Sequence, residues 1–372
     1  MFYSLPPEVQ LDVLKCLNFN QLFSFKQTNF YSLNLINKYE NGLARMKFSR
    51  LEIDNYDLIA YLKKGFRIIV PEFRKLKLDP VPMKQLATSE FILNRQLLKK
   101  WKTAIAESIP LYLHDSEHYR EGAEFSICLR RPNYLLKLPN IPKNIEDMFI
   151  IRSGLKQLFK CAVREGRFYE IVFNPEMINL LFYDDKTISP HFNIKKQSVV
   201  FGNNLFNNFL KFTLNHLANS TELYLNFGSV HNLEQYTDIL FNILINEGNK
   251  FHHVCFHLFG STRLCDLIIE YITTSKDCSK MVPLIILDDI DYPNSKLKKL
   301  AKNVEKYEDF IQYQIANIYN PKVRFAFSCF SFRRFIIIEI IFINFGYSIN
   351  KQKLKWFLNE NSRKYKINTG EY

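Results

Sequence analysis

The chain has 372 residues, with 50 lysines and arginines against 37 aspartates and glutamates, so its formal net charge is +13. Hydrophobic residues make up 47% of it, and the 34 phenylalanines and 20 tyrosines are unusually many. This composition excludes a disordered chain, because such chains lack the apolar residues that form a core. The length predicts two or three domains.

The 7 cysteines are scattered along the chain, and no CxxC pair occurs. A secreted disulfide framework would have an even number of cysteines at regular spacings, so this pattern indicates reduced thiols inside the cell. The N-terminus also lacks the charged and apolar regions of a signal peptide. We therefore expect the protein to be cytoplasmic, nuclear or both.

Three short helices are predicted within about the first 45 residues. Pro6 and Pro7 suit the first turn of a helix, where a missing N–H costs nothing, and Glu8 places negative charge near the positive end of the helix dipole. Asn20 and Asn29 can cap the second and third helices. A unit this small buries little surface by itself, so its spare apolar faces should pack against the rest of the chain or another protein.

The Leu-Pro-x-Glu opening and the spaced apolar residues after it resemble the F-box motif over about the first 40 residues. That motif is the adaptor-binding module of substrate receptors in Skp1–cullin–F-box ubiquitin ligases. The resemblance implies that a Skp1-type adaptor, and through it a cullin, is bound by a set of seven residues: Leu5, Pro6, Val9, Leu14, Leu17, Leu22 and Phe25.

The third predicted helix departs from the family pattern, which often has a tryptophan there. This chain has Phe30 and Tyr31 at that point. Either residue could fill the place of the tryptophan, or the third helix could dock differently. The plainer alternative is an ordinary helical start to a globular protein.

From about residue 168, strand-like and helix-like segments alternate. Later strands are predicted to start near residues 198, 223, 252, 283 and 323. The helices between them are predicted at Leu205–Leu217, Leu233–Ile245, Arg263–Ile272 and Leu297–Ile318. Such alternation indicates βαβ units and a parallel sheet. Two architectures fit: an irregular leucine-rich-repeat-like array, as the nematode-type F-box families have, or an open parallel sheet.

The predicted fold class is therefore α+β, with a three-helix F-box ahead of an α/β domain. Four segments are predicted: an F-box-like helical domain at 1–48, a basic mixed region at 49–160, an α/β repeat domain at 161–330 and a basic tail at 331–372. In the tail, the apolar run from Phe335 to Phe345 is too short for a bilayer-spanning helix, which needs about 20 residues, and is better explained as a buried strand.

Two patterns suggest chemistry in the α/β part. Asp288 and Asp289 follow an apolar strand as the acids of a nucleotide-hydrolysing site do, but the glycine-rich phosphate loop that such a site needs does not occur in the sequence. His253, Cys255 and His257 share one face of a strand and are weak candidates for zinc ligands. Buried core residues are the plainer explanation. No complete catalytic motif is found, so we expect no catalysis and no cofactor.

The predicted function is a non-catalytic substrate receptor that binds the adaptor through its N-terminal helices and an unknown target protein through the α/β domain. The alternative is a nucleic-acid or anionic-surface binder, using the basic residues between 63 and 102 and the basic tail. The sequence favours that alternative less, since no recognised nucleic-acid module accompanies the basic residues. It does not favour a membrane partner either.

Overall fold

A computed structural model describes residues 2–55, 58–69, 94–114, 124–183, 185, 188–201, 205–218, 220–228, 230, 232–258, 262–288, 290, 294–307, 310–320, 323–330 and 335–342. Helices and strands are mixed along the chain, as the α+β class predicts. The chain divides into two compact units, Met1–Asn232 and Leu233–Tyr372.

Eleven α-helices lie in the described residues: α1 (Pro7–Cys16), α2 (Phe19–Lys26), α3 (Phe30–Tyr39), α4 (Leu58–Lys63), α5 (Arg95–Ala106), α6 (Ile145–Phe159), α7 (Pro175–Leu181), α8 (Phe206–His216), α9 (Thr237–Asn246), α10 (Arg263–Thr274) and α11 (Asn294–Leu300). Short 3₁₀ helices include Phe2–Ser4, Glu40–Gly42 and Leu233–Tyr236.

The strands of the described part are β1 (Met46–Asp54), β2 (Arg67–Ile69), β3 (Tyr112–His114), β4 (Ser126–Arg130), β5 (Tyr134–Lys137), β6 (Cys161–Tyr169), β7 (Ile171–Phe173), β8 (Phe192–Val200), β9 (Leu217–Ala218), β10 (Glu222–Asn226), β11 (His253–His257), β12 (Leu284–Asp288), β13 (Asn303–Lys306), β14 (Phe310–Ala316), β15 (Val323–Phe330) and β16 (Phe335–Phe342).

The first three helices form at residues that supply their own caps. The side chain of Asn18 accepts a hydrogen bond from the N–H of Gln21, and the side chain of Gln21 accepts one from the N–H of Asn18. This reciprocal pair satisfies two backbone donors. Asn18 is therefore the N-cap of α2, and the prediction that Asn20 caps this helix was wrong. Asn29 caps α3, as predicted. The helices enclose a core of Leu14, Leu22, Ile36 and Leu43.

The first unit contains a sheet in the order β10-β8-β6-β1-β4-β5-β2. Neighbours from β10 to β1 are parallel, β4 is antiparallel to both β1 and β5, and β5 is parallel to β2. The short β9 pairs with the start of β8, and β3 and β7 form a separate antiparallel pair. The predicted βαβ alternation is therefore found in β6, β8 and β10.

Phenylalanines fill the space between this sheet and its helices. The ring of Phe192 lies 4.8 Å from that of Phe173, 4.9 Å from that of Phe159 and 5.6 Å from that of Phe212, measured between centroids. All four residues are buried. Aromatic rings in such contacts add to the stabilisation from burial, which accounts for part of the high phenylalanine content.

The second unit has strands in the order β13-β14-β15-β16-β12-β11. Only β11 and β12 are parallel, and the other neighbours are antiparallel. Helices α9 and α10 pack against each other within this unit. The strand predicted in the apolar run of the tail is confirmed as β16, in which Ile336 is buried.

The helix predicted at Leu297–Ile318 is wrong beyond α11. The chain instead forms the antiparallel pair β13 and β14. In β14, Tyr313 and Ile315 are buried and lie opposite Phe327 and Phe325 of β15. Pairing with a strand that follows later in the chain overrides the local helical spacing, because β-strand preference depends on such packing.

The compact units do not follow the predicted segment boundaries at residues 48 and 160. Strand β1 crosses the first boundary and pairs in parallel with β6, which starts just after the second. Pairing with β4 on its other side places β1 in the interior of the sheet. None of the helices in the described ranges is both long and apolar enough to cross a membrane.

A buried ion pair joins α6 to the end of α7. Arg152 is 4% exposed and donates hydrogen bonds to the carbonyl of Leu181 and to the carboxylate of Asp185. We expect Arg152→Ala to lower the free energy of unfolding by about 3–5 kcal/mol, because it removes the guanidinium that pairs with the buried carboxylate of Asp185. Denaturant titration measures this. Gln157→Ala, an exposed position on the same helix, should change stability by less than about 0.5 kcal/mol.

The buried imidazole of His216 makes stability depend on pH. Burial lowers its pKa. The hydrogen bond between Nδ1 and the carbonyl of Pro190, at 3.1 Å, opposes this effect but is the smaller of the two. Below about pH 6.5 this imidazole is therefore protonated in the unfolded chain but stays neutral in the folded chain. We expect the free energy of unfolding to fall there by up to about 1.4 kcal/mol per pH unit.

Denaturant titrations between pH 7 and pH 5 measure this slope. His216→Gln should reduce it, whereas Gln157→Ala, at an exposed position that carries no titratable group, should leave it unchanged. Equal slopes for wild type and His216→Gln would contradict the assignment.

Candidate functional site

The seven residues predicted to bind an adaptor do not share one surface. Leu14 is 0% exposed and Leu22 is 4% exposed, both inside the core of the three helices. Leu17 and Phe25 are partly buried against that core. These four residues therefore stabilise the helices. Leu5 is half-buried, and Pro6 and Val9 are exposed.

An apolar stripe runs along the outer side of α1. Val9 and Val13 lie one turn apart, and their exposed fractions are 42% and 39%. Pro6 precedes them and Cys16 follows, both exposed at helical spacing. We call Pro6, Val9, Val13 and Cys16 the α1 stripe. The sequence prediction missed Val13 as a contact, although its spacing of four from Val9 is the signal that identifies it.

Two further aromatic side chains of the helices face solvent. Phe23 of α2 is 54% exposed and stacks on Phe19, with ring centroids 6.4 Å apart. Phe30, at the start of α3, is 75% exposed. Exposed aromatic side chains of this size are enriched at protein–protein contacts.

A buried glutamine fixes the segment ahead of α1. Gln10 is 2% exposed, and its Nε2 donates to the carbonyl of Leu5 at 2.9 Å and to that of Phe2 at 3.4 Å. Its Oε1 accepts a hydrogen bond from the hydroxyl of Tyr31 at 2.7 Å. Gln10 thus holds Leu5 and the start of α1 against α3.

Tyr31, and not Phe30, is integrated into the helical unit. The ring of Tyr31 packs edge-on against that of Tyr3, with centroids 5.2 Å apart, and its hydroxyl reaches Gln10. Tyr3 in turn accepts a hydrogen bond from the side-chain amide of Asn29. At the place where the F-box family often has tryptophan, this chain therefore uses a tyrosine with a polar partner.

Two polar contacts tie the segment between α3 and β1 to the end of α6. Arg45 Nη1 donates to the carbonyl of Phe159 at 2.6 Å, at the end of α6. Lys160 Nζ lies 2.6 Å from the carboxylate of Glu40, and both side chains are one-third exposed. The helical unit is thus held against the end of α6 at two points.

The weak zinc candidates lie on β11 as predicted, but they do not form a cluster of metal ligands. Cys255 is buried, while His253 and His257 are half-buried. Across the described residues, no three side chains of His, Cys, Asp or Glu are grouped so that they could hold a metal ion.

Of the predicted acidic pair, Asp288 lies at the end of β12, opposite His257 in the register. His257 Nδ1 is 3.0 Å from Asp288 Oδ2. Asp289 lies outside the described residues. The carboxylate of Asp288 and the imidazole of His257 thus lie side by side at the carboxyl ends of two parallel strands, and both side chains are mostly buried.

Residues 83–228 match the family model of a domain of unknown function, DUF8381. The match covers less than half of the chain and runs from ahead of α5 through β10. It ends within a few residues of the division between the two compact units, and it does not include the three N-terminal helices. No curated protein and no solved structure matches the chain significantly.

Replacing Gln10 tests whether its hydrogen bonds stabilise the residues ahead of α1. We expect Gln10→Ala to lower the free energy of unfolding by about 1–3 kcal/mol, because the carbonyls of Phe2 and Leu5 and the hydroxyl of Tyr31 lose a hydrogen-bond partner. Thermal and denaturant unfolding measure the change. Gln27→Ala, at an exposed residue just after α2, serves as the control. Equal stability of the two variants would show that the Gln10 contacts contribute nothing.

Proposed function

We propose that this protein is a substrate-recognition subunit of a Skp1–cullin–F-box ubiquitin ligase. The observation that carries the proposal is the α1 stripe on a three-helix unit with its own core. Adjacent exposed apolar side chains on one helix face are a surface that a partner protein can cover. The Leu-Pro-x-Glu opening of the same helix supplies the resemblance to the F-box family.

The residues that we propose to contact the adaptor are fewer than the sequence predicted, because four of the predicted residues lie in or against the core of the helices. Leu5, Pro6, Val9 and Val13 would face an apolar groove of the adaptor, with Phe23 as a further candidate. Leu14, Leu17, Leu22 and Phe25 would act indirectly, by holding the helices that present this surface. A helix laid in an apolar groove obtains most of its affinity from a few such side chains.

The remainder of the chain would hold the target protein. In this proposal the α/β part is the irregular repeat-like domain of a receptor, and it supplies no reactive group. Its contribution is proximity, since a bound target experiences a high effective concentration of the ubiquitin-loaded enzyme that the cullin brings. The contacts of Arg45 and Lys160 would fix the adaptor side relative to this domain.

Binding to nucleic acid or an anionic surface is the second candidate. The observation that favours it is α5, which exposes Arg95, Lys99 and Lys102 while burying Leu97 and Trp101. A basic helix face of this kind can contact phosphates. Most of the basic stretch that suggested this function, residues 70–93, lies outside the described residues.

Co-purification with a Skp1-type adaptor tests the leading proposal. We expect the wild type to bind, and Val9→Asp combined with Val13→Asp to weaken binding about a hundredfold or more, because two apolar contacts become buried charges. Both valines are exposed, so the helical unit should still fold.

The control exchanges polar residues of the same helix. Asp12→Ala combined with Lys15→Ala removes an exposed ion pair on α1 and should leave binding within about twofold. A wild-type chain that fails to bind the adaptor would refute the proposal. Equal losses in the two double variants would show that the α1 stripe is not the contact.

A further inference from the structure

A band of charged residues crosses one face of the sheet in the first unit. The register aligns residues of five neighbouring strands in one row, in the order Arg130, Arg50, Glu165, Lys196 and Glu222. Glu52 and Arg167 lie side by side in a second row, two residues along β1 and β6. Charged side chains thus replace the apolar residues that a buried sheet face would have.

The charges within this band are paired across the strands. Glu52 lies 3.3 Å from Arg50 and 3.1 Å from Arg130. Glu165 lies 2.9 Å from Arg167 and 3.6 Å from Arg50. Three arginines therefore share two carboxylates, which leaves one positive charge in excess. We call Arg50, Arg130, Arg167, Glu52 and Glu165 the arginine cluster.

The arginines of the cluster are more accessible than its carboxylates. The side chains of Arg50, Arg130 and Arg167 are 28%, 34% and 20% exposed, against 11% for Glu52 and 8% for Glu165. A molecule that approaches this face therefore meets guanidinium groups first. The two carboxylates lie beneath them and hold their orientation.

The guanidinium groups keep hydrogen-bond donors for a ligand. Arg130 and Arg167 each donate to a cluster carboxylate through Nε. This arrangement leaves their terminal nitrogens without a hydrogen-bonded acceptor among the described residues. Each guanidinium has five donors in a planar fork, which matches the two oxygens of a carboxylate.

We propose that the arginine cluster binds an acidic segment of a protein partner, through carboxylates placed against Arg130 and Arg167. Tyr169, at the end of β6, is 40% exposed and Tyr224 of β10 is half-buried; both offer aromatic contacts beside the cluster. The further claim that this surface binds the target of a ubiquitin-ligase receptor rests on the proposed function. The claim that it binds an acidic peptide is independent of that function.

A protein segment fits this face better than a nucleic acid does. Glu222 at the end of the first row is 30% exposed, and Asp54 of β1 is half-buried. These acids would repel the evenly spaced phosphates of a nucleic-acid strand. A peptide can place one or two carboxylates on the arginines and other residues over the acids.

Fluorescence anisotropy with a short labelled peptide of alternating glutamate and serine tests this site in the full-length chain. We expect Arg130→Gln combined with Arg167→Gln to weaken binding about tenfold relative to wild type. Arg130→Lys combined with Arg167→Lys keeps the charge and should still weaken binding severalfold, because lysine lacks the planar fork. Circular dichroism and the unfolding midpoint confirm that each variant is folded.

The control is Lys143→Gln combined with Lys211→Gln, which removes two exposed charges of the first unit and should leave peptide affinity within about twofold. An equal loss in this control would overturn the proposal by showing general attraction to a basic protein. Full binding by the folded lysine variant would overturn the bidentate contact.

A labelled oligodeoxythymidine of the same net charge is measured in parallel. Tighter binding of this strand, with loss in the same arginine variants, would reassign the face to nucleic acid and overturn the proposal. The Val9→Asp and Val13→Asp variant should bind the peptide as wild type does. Adaptor binding and peptide binding can therefore fail separately.

Discussion

The interior position of β1 is the constraint on which the first unit depends. Its residues 50–54 pair with β4 on one side, and its residues 46–52 lie along β6 on the other, at separations of roughly 80 and 115 residues along the chain. The strand that directly follows the N-terminal helices thus joins them to the sheet. It also places Arg50 and Glu52 where the carboxylate of Glu165 and the guanidinium groups of Arg130 and Arg167 can reach them.

Much of the fold could be predicted from local patterns. The helices α8, α9 and α10 and the strands β10, β11 and β12 lie close to their predicted positions, because their apolar spacings show the period of the element. The short α7 was not predicted. Strand β1 does carry a signal, the alternation of charged residues with Leu51 and Ile53 near its end, but the sequence prediction did not use it. The hairpin of β13 and β14 was missed although Tyr313 and Ile315, two residues apart and both buried, have the spacing of one strand face.

The candidate surface was predictable in its location but not in its residues. The Leu-Pro-x-Glu opening located the helical unit, yet the sequence could not separate inward from outward leucines in helices of eight to ten residues. Gln10 gave no sequence signal at all, because a glutamine on a short helix is ordinarily exposed. The arginine cluster depends on strand register, and single-sequence patterns do not specify which distant strands become neighbours.

Only a few residues separate the helical unit from the sheet: α3 ends at Tyr39, a 3₁₀ turn follows, and β1 begins at Met46. This connection is short, and the contacts of Arg45 and Lys160 fix it to the end of α6, so it is poorly suited to act as a hinge. A force applied to the helices would therefore act directly on the central strand of the sheet. Because β1 pairs with both β4 and β6, such a force would be resisted by the hydrogen bonds of two neighbouring strands.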